Sequence, residues 1–285
     1  MSDNNSTYIL ACDIGGTHIT SAIVHTRTWE ILSDTISRNV VNSNSDAKSI
    51  LLSWTANILA CQKKFGQPIS NIGIAMPGPF DYEQGISLMQ GQNKYDALYK
   101  MNTSKALQEN LSNAQLNIRY INDAAAYLQG EVFGQQREHE SRILGITLGT
   151  GLGSSVRSYG EKAFDADLWK APYRNGIFEE HLATRWFTER FKALTNIEKE
   201  GFKEILTDYS DLPEFQQLIV EYRDNLYDFL RYFSSLHQSS KFILGGNIAK
   251  AWPIIGNSER FNDFEISVGI FEEKAALIGA ASLFE

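Results

Sequence analysis

The sequence predicts an α/β protein of two domains. Its 285 residues suit two units at roughly 150 residues per domain. Short apolar runs alternate with helical patterns along the chain. A strand that runs into a glycine turn occurs at three separated places: Gly15/Gly16, Gly149/Gly151/Gly153 and Gly245/Gly246.

Taken in order, residues 8–12 (YILAC) form an apolar run that ends at Asp13 and the Gly15–Gly16 pair, and residues 18–24 then alternate. This reads as strand, tight turn, strand. Over residues 44–65, Ile50, Leu51, Trp54, Ile58 and Cys61 recur at helical spacing until Gly66 and Pro68 stop the pattern. A strand at 72–75 enters a Pro77-Gly78-Pro79 loop, and another at 116–121 stops at Asn122-Asp123 before a helical stretch over 124–133. Either Asn122 or Asp123 suits an N-cap. A strand at 143–148 meets the glycine-rich 149–153, after which 154–156 reads as a returning strand. Phe215, Leu218, Ile219, Tyr222, Leu226, Phe229, Leu230 and Phe233 line one face of a long helix, read as core. A short strand at 242–244 precedes Gly245 and Gly246, and residues 275–283 form a closing helix of small apolar residues.

Composition narrows the function. There are 26 basic and 34 acidic residues, a net charge of −8, so the electrostatic footprint of a nucleic-acid binder is missing and none is expected as a partner. Only Cys12 and Cys61 occur, with no CxxC pair, which argues against a disulfide scaffold or a cysteine zinc site. The start, residues 1–7, is polar without a signal-peptide pattern, and no run approaches a membrane span; a soluble, cytoplasmic protein without a membrane partner is expected.

Three glycine turns, with an Asp at the end of two neighbouring strands, suggest backbone N–H groups converging on phosphate. No GxxxxGK[ST] occurs, so a Walker loop is excluded. A dinucleotide fingerprint starting at Gly149 would need glycine at position 154, which is serine, and a helix afterwards. What remains is a clamp built from glycine hairpins.

Here the motifs become specific. DIGGTHITSAIV (13–24), GIAMPGPFD (73–81), INDAAAYLQGE (121–131), GITLGTGLGSS (145–155), ILGGNIAKA (243–251) and AALIGAASL (275–283) resemble, in order, the motifs of the ROK family of sugar kinases and related repressors. That resemblance covers nearly the whole chain. It implies the two-domain actin-like ATPase (ribonuclease H-like) fold with an inter-domain cleft, its domains at 1–121 and 122–271, with 272–285 packing back on the first. It also implies ATP and Mg²⁺ as cofactors and a small-molecule sugar as substrate. Gly15, Gly16 and Thr17, with Gly149, Thr150 and Gly151, would bring N–H groups to the phosphates. Asp13 would be the Mg²⁺ partner, through water. Asp123 would be the general base, Asn122 a sugar contact, and Gly245 and Gly246 the turn beside the adenosine. Gly78 and Asn93 would approach the sugar. Taken singly, Asp13 and Asp123 read better as strand-end or capping residues; their place inside the matched motifs reverses that reading.

The family's cysteine-rich zinc loop has no counterpart, since no cysteine follows Cys61; no structural zinc is expected. GIFE (176–179) fits the end of that motif, with Glu179 at the sugar-binding glutamate. By spacing, Asp167 and Lys170 stand at its Glu and His positions. The expected activity is transfer of the γ-phosphoryl group to a hydroxyl of a hexose or N-acetyl-hexosamine. The alternatives are a sugar-responsive transcriptional regulator, against which the absence of an N-terminal helix-turn-helix segment counts, and a sugar-binding member without turnover. The sequence leaves the oligomeric state open, a homodimer included.

Overall fold

A computed structural model describes residues 7–285. Residues 1–6, most of the polar start read above as lacking a signal peptide, lie outside the described residues. The chain divides into two compact units, Met1–His139 with Glu273–Glu285, and Glu140–Glu272.

The first unit contains β1 (Tyr8–Ile14), β2 (His18–His25), β3 (Glu30–Val40), α1 (Ala47–Phe65), β4 (Asn71–Met76), the small hairpin β5 (Phe80–Asp81) and β6 (Ile86–Ser87), α2 (Thr103–Asn110), β7 (Asn117–Asn122) and α3 (Asp123–Gly134). From the far end of the chain it takes α9 (Ala275–Ala281). Its sheet has the order β3-β2-β1-β4-β7. The first three strands are antiparallel; β1, β4 and β7 are parallel. α1 forms where its apolar spacing predicts and buries Ile50, Leu51, Trp54, Ile58 and Cys61. Its ends are set by Asp46, which accepts from Ser49 N at 3.0 Å, and by Gly66, whose left-handed φ of 76° closes the last turn on Gln62.

This unit extends past Ile121, where the sequence reading ends the first domain, because α3 packs on α9. The approach is backbone to backbone. A Cβ added at Gly130 would lie 1.8 Å from the Ala275 carbonyl oxygen, one at Gly279 would lie 2.0 Å from that of Ala126, and one on Gly73 of β4 would lie 2.0 Å from that of Ala280. Only glycine fits at these three crossings.

The second unit contains β8 (Arg142–Leu148), β9 (Leu152–Ser158), β10 (Phe164–Asp165), the short pair β11 (Pro172–Tyr173) and β12 (Gly176–Ile177), α4 (Phe178–Leu182), α5 (Thr184–Thr195), α6 (Phe202–Tyr209), α7 (Pro213–His237), β13 (Lys241–Gly245), α8 (Trp252–Ile255) and β14 (Glu265–Val268). Its sheet order, β10-β9-β8-β13-β14, repeats the plan of the first: an antiparallel trio followed by two parallel strands. The eight predicted apolar residues of α7 are all buried, in a core shared with β8, β13 and α4–α6. Among the described residues, no helix is long and apolar enough to cross a membrane.

The glycine crossings generate a test by urea denaturation. Gly279→Ala should lower stability by about 2–3 kcal/mol, because a backbone carbonyl must move to admit the methyl group. Gly201→Ala, where an added Cβ meets nothing within 4 Å, should cost under about 1 kcal/mol. Equal effects would overturn the account of the α3–α9 crossing.

Candidate functional site

In the first unit, register gathers the predicted residues at one edge. Asp13 of β1 aligns with Ala75 of β4, and Ala75 aligns with Ile121 of β7. Asp13, the Pro77–Pro79 loop and Asn122-Asp123 therefore stand at the carboxyl ends of three adjacent parallel strands, where open α/β sheets usually bind ligands.

Asn122 is the N-cap of α3. Its Oδ1 accepts from Ala124 N at 2.8 Å and Ala125 N at 3.1 Å, and its Nδ2 donates to the Tyr82 hydroxyl at 3.3 Å. Tyr82 in turn donates to the Met76 carbonyl at 3.1 Å. A Cβ on Gly78 would lie 3.2 Å from that hydroxyl, so Gly78, Tyr82 and Asn122 form one corner. The Asn122 oxygen is thus engaged by the helix, which leaves only an N–H of its amide to offer a substrate. Asp123, on the first turn, is exposed. Its Oδ1 accepts from Ala124 N at 2.8 Å, and its Oδ2 has no partner among the described residues.

Asp13 is half-buried, and its carboxyl is pushed up to about 7. Burial is the largest cause; Asp123 and Glu273 add like-charge repulsion, and Arg38 opposes them. Arg38 is tied to Glu273 at 3.0 Å. Among the described residues, no group of three or more His, Cys, Asp or Glu is placed to hold a metal. A carboxylate crowded by two acidic neighbours still fits Mg²⁺, which keeps most of its waters and takes one or two protein carboxylates beside phosphate oxygens.

The two hairpins obey one rule. In the first, Gly15 N donates to His18 O at 2.9 Å and closes the turn, while Tyr95 fixes the Gly15 carbonyl at 2.6 Å and Val41 N fixes that of Thr17 at 2.8 Å. In the second, Gly149 N closes the turn on Gly151 O at 3.1 Å. Gly15 and Gly149 therefore spend their N–H groups on the turns and do not present them to a ligand, contrary to the expectation from the sequence. The next two amides in each turn, Gly16 and Thr17, and Thr150 and Gly151, have no partner among the described residues.

The third glycine pair lies against the second hairpin. Gly245 ends β13 beside Thr147 of β8. Gly246, at φ 84°, presses its bare Cα on the end of β8, where a Cβ would lie 2.2 Å from the Leu148 carbonyl oxygen. Ile248 N donates to the same oxygen at 3.1 Å. This contact alone requires glycine at 246.

The remaining predicted residues divide. Glu179 reaches the second hairpin, its Oε2 accepting from Leu152 N at 3.0 Å, whereas its neighbour Glu180 accepts from Ile177 N at 3.2 Å and serves α4. Asp167 and Lys170 pair with each other at the surface. Asn93 is exposed in a loop at φ 54°, a backbone state that asparagine tolerates. His181 meets the edge of Tyr173 at 5.1 Å, and burial, then Arg174, holds its imidazole below its usual range. Sequence reasoning missed Tyr82, Tyr95, Thr184 and Glu273. The first two sit in polar loop stretches, FDYEQG and GQNKYDAL, where a tyrosine carries no periodic signal, and the last two carry no motif of their own.

The sequence pattern of the ROK family matches residues 9–163, more than half of the chain. The chain belongs to the ROK family. Solved structures agree on its fold, the two-domain actin-like ATPase type. A candidate sugar kinase of Cytophaga hutchinsonii superposes with a TM-score of 0.80 at 18% identity, over 97% of this chain and 99% of that one. The ROK glucokinase of Streptomyces griseus, in complex with glucose and AMPPNP, gives 0.70 at 20% identity over 97% and 98%. A ROK transcriptional regulator, a homologue of the Escherichia coli MLC protein, gives 0.74 at 18% identity over 99% of this chain and 78% of that one. No curated protein matches the chain.

The raised carboxyl of this ROK chain sets a pH test. Asp13 titrates higher folded than its unfolded value of about 3.9, so its proton favours the folded state at low pH and stability falls as pH rises from about 4 to 7. Without metal, Asp13→Asn should melt higher than the parent at pH 8, by about 2–4 °C for each kcal/mol recovered, and the gap should close as pH approaches 4. A gap independent of pH would show that Asp13 is not the strained group.

Proposed function

We propose that this ROK protein is an ATP-dependent sugar kinase that transfers the γ-phosphoryl group to a hydroxyl of a hexose or N-acetyl-hexosamine. The observation that carries the reading is the state of Asp123: an exposed carboxylate, fixed through Oδ1 on the first turn of α3 and open at Oδ2. A general base for an alcohol needs this combination of fixed direction and a free lone pair. The glucokinase of S. griseus, described with glucose and AMPPNP, supports ATP and a hexose as the substrate pair.

In this reading Asp123 accepts the proton of the attacking hydroxyl, and Asn122 orients that hydroxyl through its free amide hydrogen. Gly16 and Thr17, with Thr150 and Gly151, donate their partnerless amides to phosphate oxygens; Gly15 and Gly149 shape the turns. Gly245 and Gly246 border the adenosine. Asp13 would hold Mg²⁺ through water, and the ion when bound supplies charge neutralisation at the phosphates. Gly78, Asn93, Asp167 and Glu179 are the further sugar contacts, with Lys170 reaching the pocket only if its pair with Asp167 opens. Transfer is then chiefly a matter of positioning and electrostatics, which rigid turns and a capped helix supply.

A coupled ADP-release assay with Mg²⁺-ATP tests this against glucose, fructose, mannose, N-acetylglucosamine and N-acetylmannosamine. One of these should give turnover, and Asp123→Asn should lower kcat about 10²- to 10⁴-fold with an unchanged circular dichroism spectrum. Near-parental turnover in the variant would remove Asp123 as the base. Sugar binding without ADP release would favour a regulatory role instead.

A further inference from the structure

The second hairpin is held from outside its own sheet, by bonds at Gly149 and Leu152. Gly149 N donates to Gly151 O at 3.1 Å. The Gly149 carbonyl accepts two bonds from one residue, Thr184 N at 2.7 Å and Thr184 Oγ1 at 2.8 Å. Leu152 N donates to Glu179 Oε2 at 3.0 Å. The same oxygen lies 2.8 Å from where a Cβ of Gly151 would be, so residue 151 must lack a side chain for the carboxylate to reach. Thr150 and Gly151 are left as two consecutive donors without a partner among the described residues.

Peptide planarity turns these bonds into direction. In a trans peptide the C=O and the following N–H point opposite ways. Fixing the Gly149 carbonyl on Thr184, the first residue of α5, therefore aims the Thr150 N–H away from α5. Fixing Leu152 N on Glu179 prevents the far side of the turn from rotating to satisfy itself. The Gly151 amide lies in the one peptide between these two fixed planes, and two successive free amides held in this way make a concave anion cradle.

We propose that Thr184 and Glu179 are positioning residues for this hairpin, holding the Thr150 and Gly151 amides toward a phosphate group. The assignment rests on the kinase reading above and gives Glu179 a role besides sugar contact. Thr184 touches no reacting atom; it acts through the Gly149 carbonyl.

The test is isothermal titration of the full chain with Mg²⁺-AMPPNP, with no sugar present so that any sugar contact of Glu179 is silent. Thr184→Val keeps the backbone bond and removes the hydroxyl one; it should weaken AMPPNP about 3- to 10-fold, in line with one hydrogen bond of about 0.5–1.5 kcal/mol. Thr184→Ser should restore parental affinity. Glu179→Met, whose thioether is only a weak acceptor for Leu152 N, should weaken AMPPNP by a similar factor. The ¹⁵N–¹H signals of Thr150 and Gly151 should shift on AMPPNP addition in the parent and shift less in Thr184→Val. Parental affinity in both Thr184→Val and Glu179→Met, with the parent binding normally, would overturn the positioning role and leave the kinase reading standing. A parent chain that does not bind AMPPNP would overturn the kinase reading, and this proposal with it.

Discussion

The first unit depends on three places where a helix meets another backbone without a side chain between them. Gly73, Gly130 and Gly279 let α9 lie on β4 and α3 at distances that even a methyl group would forbid. α9 also packs on β1. One short helix thus sets the strand that carries Asp13 and the helix that begins with Asp123 in fixed relation. Displacing α9 by the width of a methyl group would move Asp123 relative to Asp13, and proximity effects in group transfer fall steeply with such displacements.

The α3 N-terminus shows how a small set of polar groups converts that packing into a site. Asn122 caps the helix with its oxygen and anchors to Tyr82 with its nitrogen, and Tyr82 anchors to the Met76 carbonyl. The chain of bonds from α3 through Asn122 and Tyr82 to Met76 leaves one arrangement of the corner and one Asn122 N–H to spare. Asp123 then inherits a defined direction. Its neighbour Asp13 is kept from ionising easily first by burial and then by the acids Asp123 and Glu273, and a cation arriving with phosphates would favour its charged form.

Much of this was legible in the residues. The strand–glycine turns fall where the apolar runs end, α1 stops at Gly66, and α7 buries every residue of its predicted stripe. β3 was not legible: Glu30–Val40 is an edge strand with few buried positions, and its register slips near Ser21, so it carries no clean alternation. The first-domain boundary at Ile121 misses α3, because membership is decided by glycines 130 and 279, which read as ordinary residues of helical stretches until the partner carbonyls are known. Residue type located the phosphate turns but did not say which amides in them are free; that needed the closing bonds at Gly15 and Gly149.

The two hairpins make the same point about what a glycine motif encodes. Both use the first glycine to close the turn and leave the next two amides open, yet each is braced by different chemistry: Tyr95 and Val41 on the first, Thr184 and Glu179 on the second. The motif specifies a backbone shape, and the bracing comes from whatever element the surrounding fold brings alongside. The segment departing most from the family pattern, where the zinc loop is missing, lies immediately before Glu179. Here Glu179 is held by Leu152 N and by the N-terminal turn of α4. A hydrogen bond from the hairpin and a place on the first turn of a helix therefore fix that glutamate.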